Sequence, residues 1–124
     1  MKSLKKIMLA VVVLLATMSV TAQIKNKKTE TVKILGNCEM CKRNIENAGN
    51  LKKVAIVNWD VNTKMAKLTY DSSITSSDEI LKRIAMAGYE NEKFAANDEG
   101  YNNLHACCQY DRNILDTNKK PAKK

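Results

Sequence analysis

The chain has 124 residues, of which 44% are hydrophobic and 5% aromatic, with four Cys, one Pro, one His and a formal net charge of +8. That length holds one small domain with flanking segments and excludes a multidomain enzyme. The charge suggests nucleic acid until it is located. Lys2, Lys5, Lys6, Lys25, Lys27 and Lys28 stand near the amino end and Lys119, Lys120, Lys123 and Lys124 at the carboxyl end, which leaves 11 basic against 13 acidic residues between positions 30 and 116. A nucleic-acid binder concentrates positive charge on a folded face, so that class is set aside.

Lys2, Lys5 and Lys6 introduce an apolar run over 7–20, and Val20-Thr21-Ala22 supplies small residues after it. This is the pattern of a secretory signal peptide over 1–22, cleaved before Gln23. The run is shorter than the roughly 20 residues that span a bilayer; an uncleaved anchor is the competing reading. Export implies a periplasmic or secreted protein, with no membrane span after cleavage, in an oxidising compartment.

Residues 23–29 read as a polar, flexible linker. Thr31-Val32-Lys33-Ile34-Leu35 alternates and is β-branched, which predicts a strand that Gly36-Asn37 breaks. Cys41, Ile45 and Ala48 then recur as one helical stripe, with Gly49-Asn50 as its stop signal. Val57, Trp59 and Val61 alternate in a second strand, and Ala66, Leu68 and Tyr70 in a third. Ser76-Ser77-Asp78-Glu79 carries a capping box for a second helix bearing Ile80, Leu81, Ile84 and Ala87, with Gly88 at its carboxyl cap. Residues 89–94 complete the order as a short edge strand. The order β-α-β-β-α-β predicts an α+β, ferredoxin-like sandwich, a four-stranded antiparallel sheet with two helices on one face. The body spans 30–95, followed by a Cys/His-containing extension over 96–116 and a Lys-rich tail over 117–124.

The chemistry concentrates at Gly36-Asn37-Cys38-Glu39-Met40-Cys41, where the first strand hands over to the first helix. Two cysteines so spaced in a turn can aim both sulfurs at one ion, and amide N–H groups at a helix start favour thiolate. Thiolates select soft metals. Gly36 permits the sharp turn, and Met40 is expected to tuck inward and support the loop rather than bind metal directly. A structural disulfide, a redox dithiol and half of a closed four-ligand zinc site are the competing readings.

Here the sequence resembles the heavy-metal-associated domains, the fold of copper chaperones, of amino-terminal modules of copper-pumping ATPases and of a periplasmic mercury-binding protein. The resemblance covers about 31–94. It rests on G-x-C-x-x-C at 36–41, on Ala87-Gly88-Tyr89 before the last strand, and on the strand-turn-strand ending in Leu68-Thr69-Tyr70-Asp71. It implies that Cys38 and Cys41 bind metal with Tyr89 packed close by. The family usually carries Met where this chain has Asn37. A thioredoxin-type enzyme would need another element order and a Pro beside the active pair, whereas Pro121 lies in the tail.

Outside the resemblance, His105, Cys107 and Cys108 crowd one imidazole and two sulfurs into four residues and are candidate additional ligands. Adjacent cysteines rarely bond to each other. The last strand would carry the chain roughly 20 Å from the motif, and ten residues separate Phe94 from His105. Those residues return about 15 Å if helical or about 33 Å if extended. The tail can therefore complete the CxxC site or build a second one. Trp59 reads as core, Tyr101 and Tyr110 as packing for the tail, and Lys42 and Arg43 as the wet side of the first helix. No spaced carboxylate pair and no Ser-His-acid set is present.

The expected protein is thus an exported, non-enzymatic carrier of a soft ion, Cu(I) foremost, with Hg(II) or Zn(II) as alternatives. The resemblance implies a metal transporter, an efflux component or another metal-binding domain as recipient, and permits a metal-bridged dimer. The rivals are a periplasmic thiol-disulfide redox protein and a metal-buffering resistance protein without a delivery partner.

Overall fold

A computed structural model of the chain describes residues 23–112 together with the backbone of 120–121; residues 1–22, expected as a signal peptide, and residues 113–119 and 122–124 of the extension and tail lie outside the described residues. In order, the elements are β1 (Lys27–Lys33), α1 (Glu39–Gly49), β2 (Ala55–Trp59), β3 (Met65–Asp71), α2 (Ser77–Met86), β4 (Phe94–Ala95), α3 (Asp98–Asn102), a 3-10 turn (Ala106–Cys108) and β5 (Lys120–Pro121). The class is α+β with an antiparallel sheet.

That sheet has three strands in the order β1-β3-β2. Register pairs Val32 with Ala66, Val57 with Leu68 and Trp59 with Ala66. Alternation makes one face: Ala55, Val57 and Trp59 of β2 and Ala66, Leu68 and Tyr70 of β3 are buried, while Ile56, Asn58 and Lys67 are exposed. The β2–β3 turn closes on Asp60, whose carboxylate accepts the backbone N–H groups of Asn62 and Thr63 at 2.8 Å. Those two donors, Thr63 first, hold the Asp60 carboxyl below its usual range.

The stretch 23–29, expected as a flexible linker, is part of the domain. Ile24 is buried, β1 begins at Lys27, and the Asn26 carbonyl accepts from the Ser72 N–H and hydroxyl. The expected fourth strand over 89–94 shrinks to one bridge, Ile34 to Asn91, flanked by Leu35 N–H to the Glu90 carbonyl at 2.8 Å. Asn91 is the physical reason. It is fully buried, donates to the Leu81 carbonyl, and accepts from the N–H groups of Lys93 and Phe94, which turns the chain out of the sheet. β4 pairs instead with β5, in parallel.

α1 buries Cys41, Ile45 and Gly49 and packs a half-buried Ala48 against the core, so its inner stripe holds the expected residues and takes in Gly49 as well. As the stop signal indicates, Asn50 caps the helix and Gly49 is its last residue. A Cβ there would lie 2.4 Å from Val57 Cγ2 and 3.1 Å from Ile84 Cδ1. It is the point where α1 meets β2 and α2. α2 starts as its sequence indicates, with Ser76 accepting from the Glu79 N–H. The Glu79 carboxylate, however, takes the Thr75 hydroxyl at 2.8 Å. Among the described residues, no helix is long and apolar enough to cross a membrane.

The extension returns across the body. Gly88 has φ +109° and packs against the Gly100 backbone in α3. Beyond the turn, Tyr110 is wedged into the domain, its hydroxyl donating to the Gly88 carbonyl at 2.6 Å and accepting from the Glu90 N–H at 2.7 Å. Burial pushes its phenol well above the ordinary value. The Tyr101 hydroxyl donates to the Tyr110 carbonyl, and Arg112 lies over the Tyr101 ring while pairing with Glu90 and Asp98. Tyr110→Phe strands the buried Glu90 N–H, and should cost about 1–3 kcal/mol. Urea denaturation checks this; a midpoint equal to that of the unsubstituted chain would show that the wedge carries no stability.

Candidate metal centre

The loop between β1 and α1 rests on an indole. A Cβ at Gly36 would come within 3.0 Å of the Trp59 ring, so the backbone runs directly over it, and Trp59 Nε1 donates to the Ile34 carbonyl at 2.9 Å. Sequence reading found Trp59 as core but not as the floor of this loop, because that role depends on the β2 register. Cys38 occupies the cap position of α1 and offers no side-chain cap. The backbone N–H groups of Cys41 and Met40 at the helix start, Cys41 first, lower the pKa of Cys38 from the ordinary thiol value. Cys41 is buried one turn on, and its sulfur receives the Asn37 N–H at 3.4 Å.

The extension delivers a third thiol to this pair. Cys38 Sγ and Cys41 Sγ are 3.8 Å apart, and the sulfurs of Cys38, Cys41 and Cys108 all lie within 4.8 Å of one another. A metal with bonds of about 2.3 Å to three thiolates in a plane needs sulfurs about 4.0 Å apart, and a tetrahedral one about 3.8 Å. The spacing therefore suits a three- or four-coordinate soft ion. All four cysteines are free thiols. Burial pushes the Cys108 thiol up to about 12, so a bound ion there replaces a proton.

Tyr89 is fully buried beside the cluster, and its hydroxyl accepts from Asn44 Nδ2 at 3.0 Å. Burial, with the nearby Cys41 and Cys108 sulfurs adding to it, holds the phenol protonated. Two expectations need correction. Met40 does not tuck inward: it is 40% exposed, because Cys41, not Met40, lies on the inward stripe of α1 and Trp59 already fills the space below. Its sulfur lies 3.9 Å from Cys107 Sγ. His105 does not join the sulfurs: it sits in extended backbone before the 3-10 turn and is exposed. Cys107 is exposed too, its thiol 3.8 Å from that of Cys108 and its carbonyl accepting from Asn37 Nδ2 at 3.3 Å. Asn37 thus ties the CxxC loop to the extension, a role invisible until the extension is seen to return. Lys42 turns away from the thiols and binds Glu46, Asn58 and the Trp59 carbonyl, joining α1 to β2.

The junction of β1 and α1 thus sets two thiols over an aromatic floor in a small α+β domain. No protein-family model matches the chain, and no curated protein matches it. Among solved structures, a chain described as CopZ metallochaperone is similar over 52% of this chain and 98% of its own length, at 21% identity and a TM-score of 0.48.

Proposed function

We propose that this protein is a carrier of a soft metal ion, with Cu(I) as cargo held by Cys38, Cys41 and Cys108. The observation that carries this reading is the convergence of those three sulfurs within 4.8 Å at the start of α1. An all-sulfur set without imidazole or carboxylate favours Cu(I) or Hg(II) over hard ions. Cys38 is half-buried at the rim and Cys41 and Cys108 are fully buried, so an incoming thiolate can reach the ion beside Cys38. Release then runs by ligand exchange, the incoming sulfur bonding before Cys38 leaves. The recipient is a metal transporter, an efflux component or another metal-binding domain with thiols of its own. The apolar run over 7–20 behind three lysines supports export to the periplasm or beyond.

Anaerobic titration of the reduced chain with Cu(I), Hg(II) and Zn(II), read by native mass and chelator competition, tests the reading. Tight, exchangeable uptake of Cu(I), retained against a thiol competitor, is expected. A reduced chain that takes up none of the three, or that turns over as a thiol-disulfide catalyst, would overturn it.

A further inference from the structure

The sulfur cluster has an outer half that the three-thiol site leaves unused. Cys107 and Met40 are both exposed, and their sulfurs lie 3.9 Å apart at the surface. Cys107 Sγ lies 3.8 Å from Cys108 Sγ. The series Met40, Cys107, Cys108 therefore runs from solvent to the buried thiol in steps shorter than 4 Å. Neither Met40 nor Cys107 is buried in the core, so packing does not account for a thioether set against a thiol at this spot.

We infer that Met40, Cys107 and Cys108 form a second, outer site for Cu(I), with Cys108 as the sulfur shared with the inner ion. The inference rests on the inner site proposed above. Bonds of about 2.3 Å to the Met40–Cys107 and Cys107–Cys108 sulfur pairs subtend about 111–116° at the ion, angles that three- and four-coordinate ions adopt. The thioether sets the selectivity. Thioether and thiolate together suit Cu(I), whereas Zn(II) takes thiolate, imidazole or carboxylate. The outer site is thus specific for the monovalent ion in a way the inner thiols alone are not.

The shared sulfur also makes the outer site a landing place. An ion bound there moves inward by exchanging Met40 and Cys107 for Cys38 and Cys41 while Cys108 stays bonded. Each new Cu–S bond forms before the old one breaks. Each thiol that binds gives its proton to solvent, and a thiolate released takes one back. Copper remains Cu(I) throughout, so the transfer needs no oxidant or reductant.

The test is the stoichiometry of the reduced full chain, measured without air by native mass with Cu(I) and, separately, with Zn(II). The unsubstituted chain should take two Cu(I) but one Zn(II) per molecule. Met40→Leu with Cys107→Ser should take one Cu(I) at unchanged first affinity; both positions are exposed, and circular dichroism confirms the fold. Met40→Leu alone keeps every thiol and should weaken the second Cu(I) by about tenfold. One Cu(I) in the unsubstituted chain, or a second Cu(I) that survives the double substitution, overturns the outer site and leaves the inner reading standing. A reduced chain that binds no Cu(I) overturns both.

Discussion

Replacing Cys108 by Ala should lower the affinity for the first Cu(I) on the order of 100-fold, about 2.7 kcal/mol, while the chain stays folded. The variant leaves Cys38 and Cys41 as a two-thiol site, still able to bind but without the sulfur that lies within 4.8 Å of both. Ala is a better probe than Ser at this position, because a hydroxyl at a fully buried site needs a partner that the thiol does not. The cavity left by one sulfur costs about 1 kcal/mol of stability, too little to unfold a domain of ordinary stability. His105→Ala is the matched control. Its exposed position outside the cluster leaves the affinity unchanged. A Cys108→Ala chain that binds Cu(I) as tightly as the unsubstituted one would remove the extension from the site.

Gly88→Ala should be the most damaging single-methyl change in the fold. At φ +109° an added Cβ is strained by about 1–2 kcal/mol before it meets anything. It would then lie 2.7 Å from the Gly100 backbone and 2.8 Å from the Tyr101 N. These are main-chain atoms that cannot rotate away, so overpacking adds about 1–3 kcal/mol. The relief available is for α3 to lift, which loosens Tyr110 from the Gly88 carbonyl and takes Cys108 from the thiols. Stability by urea denaturation should fall by about 3 kcal/mol, and the Cu(I) affinity should drop toward that of Cys108→Ala. Loss of stability with affinity intact would show that Cys108 reaches the loop without the Gly88–Gly100 contact.

Much of the central body was legible because its signals are local. Alternation in β2 and β3, the Ser76 cap and the Cys41–Ile45 stripe depend on neighbours in sequence, and each stands where its pattern placed it except Val61, which falls in the turn after β2. The CxxC pair at the strand-helix junction was legible for the same reason. What escaped depends on partners far along the chain. β1 begins in Lys27-Lys28-Thr29-Glu30, which lacks alternation and is strand only because its main chain pairs with β3. Gly49 ends α1 as its stop signal indicates, but that its lack of a side chain also answers to Val57 and Ile84 is not written in its neighbours. Asn91 reads as an ordinary polar residue until the Leu81 carbonyl is found beneath it. For the tail, chain length bounded the reach but not the direction. The direction comes from the Gly88–Gly100 contact and the Tyr110 wedge, pairings that no periodicity announces. Once the chain returns, three residues of 3-10 turn suffice to bury Cys108 and leave Cys107 outside.

Copper K-edge X-ray absorption on the full chain loaded with one equivalent of Cu(I) bears most directly on whether the extension completes the CxxC site. Three sulfur neighbours and no nitrogen or oxygen are expected, falling to two sulfurs in Cys108→Ala. A linear two-sulfur spectrum that is the same with and without Cys108 would contradict it.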